Sequence, residues 1–198
     1  YMMEIIIHRV SNLKKLIKLP HSYGVEIDVR NVGKKLIVQH DPYENGELLE
    51  KYLKVYKHGT LILNIKSEQI EFKILKLLKK YKIKNYFFLD SSYPVIIKMI
   101  KRKIKNFAIR VSDFESFDNV FKIKKNARWI WLEIFKKIKI SQKQINYLKK
   151  NNLKICLVSP ELHNSPQDIK KIKKFLRINK ILINAVCTKS RYKRYWQN

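Results

Sequence analysis

Short apolar, β-branched stretches alternate along the chain with longer lysine-rich stretches whose apolar residues recur every three or four positions. The first pattern is typical of buried strands, and the second is typical of amphipathic helices. The predicted strands are Glu4–Val10, Gly24–Arg30, Thr60–Lys66, Tyr86–Ser91, Phe107–Ser112, Arg128–Phe135, Lys154–Ser159 and Asn184–Thr188. The predicted helices are Leu13–Leu19, Glu47–Tyr56, Ile70–Tyr81, Val95–Ile104, Ser116–Lys124, Gln142–Lys150 and Pro166–Arg177.

Continuous apolar strands indicate a parallel sheet that is covered on both faces. Eight strand–helix units also match the number that closes a (β/α)8 TIM barrel. We therefore predict an α/β fold in which residues 1–198 form a single TIM-barrel domain. A typical barrel has about 250 residues, so this one must have short loops and a last helix reduced to the tail 191–198. The apolar run Leu36–Gln39 is expected to extend the second strand rather than to add a ninth barrel strand.

Four of the predicted helices are preceded by residues that commonly begin a helix. These are Ser11-Asn12, Ser67, Ser141 and Ser165-Pro166. We expect them to cap the helices that follow.

The charge of the chain is strongly unbalanced, with 44 Lys and Arg against 16 Asp and Glu and a formal net charge of +28. Such a charge is compatible with nucleic-acid or anionic-surface binding. However, 36 of the basic residues are Lys, and only Lys189–Trp196 interleaves Arg with aromatic residues. We therefore expect most of the basic side chains to be exposed to solvent, with no specific nucleic-acid partner. Weak association with an anionic surface stays open.

Other sequence features narrow the class further. The two cysteines, Cys156 and Cys187, each lie within an apolar strand, which indicates buried free thiols rather than disulfides or a metal site. No run approaches the roughly 18 apolar residues of a membrane span, and no secretion signal is evident. We expect a soluble, cytoplasmic protein with no transmembrane segment.

Polar residues stand near the carboxyl ends of the predicted strands, where TIM barrels carry their active sites. Glu26 and Asp28 are two apart on one strand, so both carboxylates share a face. The other candidates are His8, Arg9, His40, Asn64, Lys66, Asp90, Arg110 and Glu133. Singly, each is more often a cap, an ion pair or a solvated rim residue. Together they would be costly to bury without a charged ligand.

These candidate residues all suit one kind of chemistry. Paired carboxylates suit a hard divalent cation such as Mg²⁺ or Ca²⁺, and Lys and Arg suit a phosphate. Two histidines can serve as general base and general acid. The combination predicts phosphoester chemistry.

The order His8-Arg9, Glu26-x-Asp28-Val29, His40-Asp41-Pro42 and Ile65-Lys66 resembles the glycerophosphodiester phosphodiesterase family. That family belongs to a broader group of barrel phosphodiesterases, which includes phosphatidylinositol-specific phospholipase C. The motif resemblance covers mainly residues 4–66. It implies a metal-dependent phosphodiester hydrolase with a glycerophosphodiester-like, small-molecule substrate.

The resemblance also implies a role for each matching residue. His8 and His40 would be the catalytic acid/base pair, and Glu26 and Asp28 would hold the divalent metal ion. Arg9 and Lys66 would contact the phosphate. Arg110 and Glu133 are further candidates for substrate binding.

Three positions depart from the family pattern. Asn64 stands where a third metal carboxylate is expected; its amide oxygen can still bind a hard cation, but with lower affinity. Val10 stands where the family usually has Gly. The insertion after the second strand is almost absent, since only residues 43–48 separate the His40 motif from the next helix.

Several alternatives stay open on the sequence. The barrel is either an active enzyme, a catalytically degenerate barrel that binds a phosphorylated ligand, or a basic protein that binds nucleic acid or an anionic surface. Asp90 and Glu133 either contact a ligand or pair with Lys66 and Arg110. Trp129 and Trp131 share one strand face, where packing is favoured over a stacking platform.

Overall fold

The computed structural model describes residues 3–136 and 140–197 of the chain. Its backbone contacts divide into two compact units. One comprises Ile6–Arg102, and the other comprises residues 3–5 together with the described residues from Lys103 onward. We call them the first and the second unit. The elements that lie in the first unit, with β1 shared, are β1 (Glu4–Ile7), α1 (Leu13–Lys18), β2 (Gly24–Val32), β3 (Lys35–Val38), β4 (Glu47–Leu48), α2 (Leu49–Lys54), β5 (Leu61–Ile65), α3 (Glu71–Lys80), β6 (Tyr86–Leu89) and α4 (Tyr93–Lys101).

Strand β2 is the centre of the first unit. It pairs in parallel with β1, where Ile6 lies opposite Gly24, and with β5, where Asp28 lies opposite Asn64. Strand β5 in turn pairs in parallel with β6. Parallel pairing brings the carboxyl ends of these strands to one edge, which is where the candidate polar residues were predicted.

A small antiparallel extension follows β2. Strand β3 pairs with the end of β2, with Val29 opposite Val38, which confirms the extension predicted at Leu36–Gln39. Strand β4 pairs with β3 and was not predicted, because Glu47 was assigned to a helix that begins instead at Leu49. Two residues are too few for an alternating pattern to identify a strand.

The second unit continues the same βα order. Its elements are β7 (Ala108–Val111), α5 (Asp118–Ile123), β8 (Trp129–Leu132), α6 (Gln142–Lys150), β9 (Lys154–Val158), α7 (Asp168–Ile178) and β10 (Ala185–Thr188), with short 3-10 segments at Lys124–Asn126, Pro160–His163 and Ser190–Tyr195. The four strands form a parallel ladder in the order β7, β8, β9, β10. The eight predicted strands are thus all present.

Two of the four predicted helix caps are confirmed. The Asn12 side chain accepts a hydrogen bond from the Lys15 N–H, and Ser141 forms a reciprocal capping box with Gln144. The prediction for Ser67 is wrong, because its hydroxyl accepts from the Asn31 N–H while α3 begins at Glu71. The prediction for Ser165-Pro166 is also wrong, since α7 begins at Asp168 without a side-chain cap.

Apolar side chains of the strands fill the interior of both units. Trp129 and Trp131 are both buried, so the structure supports packing rather than an exposed stacking platform. Cys156 and Cys187 are buried free thiols, as predicted. Within the described residues, no helix has both the length and the apolar character needed to cross a bilayer.

A buried hydrogen-bond chain fixes the reduced last helix of the second unit. The indole N–H of Trp196 donates to Ser159 Oγ at 2.7 Å, and the Ser159 hydroxyl donates to the Glu161 carboxylate. Thr188 Oγ1 and the Lys189 N–H donate to the other oxygen of Glu161, at 2.6 and 3.0 Å. The tail is therefore held through the buried Trp196.

Replacing Trp196 with Phe should lower the free energy of unfolding by about 1–2 kcal/mol, because the buried Ser159 oxygen loses its donor. Urea unfolding would measure the change. Tyr195→Phe is the matched control: its ring is half exposed, so its effect should stay within about 0.5 kcal/mol. Equal effects of the two substitutions would contradict the proposed anchoring.

Candidate active site

Two buried carboxylates lie side by side on β2. Glu26 and Asp28 have relative exposures of 1% and 2%, although both are ionisable. They are two residues apart on a strand, so their side chains leave the same face. Because isolated buried charges are costly, the surrounding groups must compensate them.

The turn after β1 contributes part of this compensation. The Arg9 backbone has φ of 53°, an uncommon conformation for a residue with a side chain. In this conformation its N–H donates to Glu26 Oε2 at 2.8 Å, while its Nε lies 3.3 Å from Asp28 Oδ2. His8 Nε2 lies 3.7 Å from Glu26 Oε2. The predicted His8-Arg9 motif thus contacts both carboxylates.

Lys66, which follows β5, bridges two acidic residues. Its Nζ lies 3.6 Å from Asp28 Oδ1 and 3.6 Å from Asp90 Oδ2. Asp90 follows β6 with φ of 59°, again in the left-handed region. The structure therefore shows the Asp90–Lys66 pairing that was one of the alternatives for Asp90.

Asn64 contacts the carboxylate pair through its side-chain amide. Its Nδ2 donates to Glu26 Oε1 at 3.2 Å. Its Oδ1 and the Oδ1 of Asp28 are buried and accept no hydrogen bond from any described residue. Unsatisfied buried oxygens are uncommon and require an explanation.

The donor set of Glu26, Asp28 and Asn64 fits a hard divalent cation, which binds carboxylate and amide oxygens. Among the described residues, no three His, Cys, Asp or Glu side chains come together as a metal-binding group. A cation here would therefore depend on the neutral Asn64 for a third side-chain oxygen.

The pKa values of Glu26 and Asp28 reflect the cost of burying two carboxyl groups together. Burial and, after it, the neighbouring Asp28 together raise the pKa of Glu26 from 4.5 to about 7, although the Arg9 and Asn64 hydrogen bonds and the Arg9 charge lower it. Burial also raises the pKa of Asp28, against the opposing charges of Lys66, Arg9 and His40. The two carboxyl groups are therefore costly to ionise, and a bound cation would lower that cost.

His40 lies at the end of the β3 extension. The Gln39 N–H donates to the Asp28 carbonyl at 3.0 Å, which ties this end of β3 to β2. Arg30 Nη2 donates to the His40 carbonyl at 2.8 Å, and the ring Nδ1 lies 2.8 Å from Asp41 Oδ1. The charge of His40 lowers the pKa of Asp28, so the ring lies within electrostatic reach of the carboxylates.

Arg110 and Glu133 belong to the second unit. Arg110 Nη1 donates to Glu133 Oε2, and His163 Nε2 lies 3.0 Å from Glu133 Oε1. Arg110 Nε also lies 3.8 Å from Glu115 Oε1. The structure therefore shows the pairing alternative for Glu133, while all other predicted site residues lie in the first unit.

Two residues near these clusters were not predicted. Tyr52 is buried in α2, and its hydroxyl donates to the Val10 carbonyl at 2.7 Å. Burial and the charge of Glu26 raise its pKa. His163 contacts Glu133 from a 3-10 segment. Neither residue stands at the end of a strand, so the pattern of polar residues at strand ends gives no signal for either of them.

Comparison with known proteins supports the fold. No protein-family model matches the chain, and no curated protein matches it in sequence. A solved structure from Galdieria sulphuraria, assigned to the glycerophosphodiester phosphodiesterases, matches 100% of this chain and 98% of its own at 13% identity and a TM-score of 0.68. The glycerophosphodiester phosphodiesterase of Agrobacterium tumefaciens matches 94% of this chain and 96% of its own, at 14% identity and a TM-score of 0.66.

A phosphodiesterase of Oleispira antarctica, solved with the product sn-glycerol-3-phosphate, matches 94% of this chain and 92% of its own at 16% identity and a TM-score of 0.57. At such identities the likeness establishes the fold. The chain has the α/β fold of the (β/α)8 class, as predicted from the eight strand–helix units. The single-domain assignment stays a prediction.

In the absence of divalent cations, stability should fall as the pH rises from about 4.5 to about 7. The folded protein retains a proton on Glu26 that the unfolded chain releases in this range, so the folded state binds more protons. The loss should reach up to about 3 kcal/mol above pH 7. Glu26→Gln should remove this part of the pH dependence, as measured by urea unfolding at about pH 5 and about pH 8 with chelator.

The matched control is Glu44→Gln, which neutralises an exposed carboxylate. It should keep the wild-type pH dependence. If Glu26→Gln kept it as well, the assignment of the raised pKa to Glu26 would be wrong.

Proposed function

We propose that the chain is a phosphoric diester hydrolase that cleaves a glycerophosphodiester-like substrate with the help of a divalent cation. The observation that carries this proposal is the buried Glu26–Asp28 pair, with Asn64 in contact with Glu26 and with buried oxygens of Asp28 and Asn64 that accept no hydrogen bond from the described residues. Two cationic side chains contact the same pair. The fold shared with solved phosphodiesterases, one of which holds sn-glycerol-3-phosphate, supports the proposal.

Glu26, Asp28 and Asn64 would hold the cation, which we propose to be Mg²⁺ or Ca²⁺ because all three ligands are oxygen atoms. When bound, such an ion would supply Lewis-acid chemistry, offsetting negative charge on the phosphate and polarising its phosphorus centre. Because both carboxylates are buried, the surrounding protein shields their oxygen atoms from bulk water.

Arg9 and Lys66 would bind the phosphate. The Arg9 side chain is 48% exposed, so its guanidinium can form paired hydrogen bonds to an entering anion. Lys66 is more enclosed and acts as a point charge. Both already lie beside Asp28, so they hold the phosphate next to the carboxylates that bind the cation.

His8 and His40 would divide the proton transfers. One histidine removes a proton from the hydroxyl next to the phosphate, or from water, and the other protonates the leaving alcohol. The contact of His40 Nδ1 with Asp41 fixes the ring and leaves Nε2 for proton transfer. Arg110 and Glu133, which pair with each other, are proposed only as secondary substrate contacts.

Hydrolysis assays test the proposal directly. The purified chain should hydrolyse glycerophosphodiesters and bis(4-nitrophenyl) phosphate with added Mg²⁺, Ca²⁺ or Mn²⁺, and EDTA should abolish the turnover. No turnover from folded protein with any of these cations would contradict it. Tight binding of sn-glycerol-3-phosphate without turnover would instead indicate a degenerate barrel that binds a phosphorylated ligand.

Substituting either His8 or His40 with Ala should lower kcat by roughly 10²–10⁴-fold, the usual contribution of a general acid or base. Steady-state hydrolysis at saturating cation would measure it. His21→Ala is the matched control, because His21 is exposed in the loop before β2. This loop lies at the amino end of β2, whereas the predicted site residues stand near the carboxyl ends of the strands. A His40→Ala variant as active as His21→Ala would exclude His40 from the proton transfers.

Replacing Asn64 with Asp should lower the half-saturating Mg²⁺ concentration by roughly tenfold or more, because a third carboxylate adds charge to the ligand set. A Mg²⁺ titration of the hydrolysis rate would measure this. Asn85→Asp, at the exposed position before β6, should leave the titration unchanged. An unaltered requirement in Asn64→Asp would show that Asn64 is not a ligand.

A further inference from the structure

Residues 168–197 of the second unit carry a dense group of basic side chains. This stretch holds ten basic residues and one acidic residue, Asp168. The surplus of nine positive charges in 30 residues is about twice the chain average, given +28 over 198 residues. Residues 76–105 and 122–151 carry the same surplus, so what distinguishes residues 168–197 is the arrangement of their side chains on the surface.

These charges form one surface because α7 and the tail are in contact. Lys173 Nζ donates to the Tyr195 carbonyl at 2.8 Å, and the buried Trp196 holds the tail against the unit. The exposed cations on the two elements are Lys170, Lys171, Lys174, Arg177, Arg191 and Arg194, which we call the α7–tail surface. Within the part of the chain that the structure describes, none of the six forms a salt bridge with an acidic side chain.

Large apolar side chains stand exposed beside these cations. Ile178 and Leu182 are 63% and 73% exposed and flank the turn that ends α7, while Tyr195 in the tail is 52% exposed. The turn is fixed by the Ile181 N–H, which donates to the Leu176 carbonyl at 2.9 Å. Basic residues with adjacent exposed aliphatic and aromatic side chains are typical of surfaces that lie in a bilayer interface.

We propose that the α7–tail surface docks the protein on an anionic lipid bilayer. Lysine and arginine side chains are attracted to acidic headgroups, and Ile178, Leu182 and Tyr195 would enter the interface. The features are less suited to single-stranded nucleic acid, whose successive bases stack on several aromatic rings, whereas Tyr195 is the one exposed aromatic ring among the described residues of α7 and the tail. Trp196 is buried, and the Arg191 guanidinium already lies over the Tyr192 ring, 5.0 Å from its centroid.

Vesicle co-sedimentation tests the proposal on the whole chain. The protein should bind phosphatidylcholine vesicles that contain about 30% phosphatidylserine and not pure phosphatidylcholine, with binding that weakens as salt screens the charges. Lys170→Gln, Lys174→Gln and Arg177→Gln combined should weaken binding by about 100-fold, at about fivefold per charge. Leu182→Ser should weaken it without changing its salt dependence.

The matched control neutralises three exposed lysines of α6, Lys143, Lys149 and Lys150, in the same unit. It should weaken binding by less than about threefold, since the attraction between basic side chains and acidic headgroups acts only near the contact surface. Equal losses of binding in both triple variants would overturn the proposal, because binding would then depend on the total positive charge and not on the α7–tail surface. Binding to poly(U) RNA without binding to the anionic vesicles would overturn it in favour of nucleic acid. Circular dichroism and urea unfolding confirm that each variant is folded.

Discussion

Burial of two carboxylates on one face of β2 is the constraint on which the rest of the site depends. Glu26 and Asp28 are nearly inaccessible, and each raises the cost of ionising the other. Such a pair persists only if neighbouring groups offset its charge. Arg9 and Lys66 do so for Asp28, and the Arg9 N–H and the Asn64 amide do so for Glu26. The Asp28 and Asn64 oxygens that accept no hydrogen bond from the described residues are where a bound cation would complete the compensation.

The parallel register of the first unit explains how these groups meet. Strands β1 and β5 pair on either side of β2, so the turn after β1 and the end of β5 come to the two carboxylates. The antiparallel β3 extension then returns His40 toward Asp28 through the Gln39–Asp28 hydrogen bond. Each group is therefore positioned by backbone pairing rather than by a long loop, which explains how a chain with such short connections can assemble the site.

Periodicity predicted the strands well because their apolar runs are long and continuous, and the residues at their ends followed from the same pattern. Local details that depend on tertiary contacts were not predictable. Ser67 has the chemistry of a helix cap but binds Asn31 instead, and β4 is too short to show alternation. Tyr52 donates to the Val10 carbonyl from a helix, and His163 contacts Glu133 from a 3-10 segment, so only the folded chain reveals them. For Asp90 and Glu133 the sequence left open ligand contact or pairing, and the structure shows their pairing with Lys66 and Arg110.

The most direct test of the account is the position of a bound cation. Crystals grown with Mn²⁺ and sn-glycerol-3-phosphate, measured at the manganese absorption edge, would locate the ion by its anomalous scattering. We predict one strong peak within about 2.6 Å of oxygens from Glu26, Asp28 and Asn64. A peak elsewhere, or none at these side chains while the phosphate is bound, would contradict the claim that the buried pair exists to hold a cation.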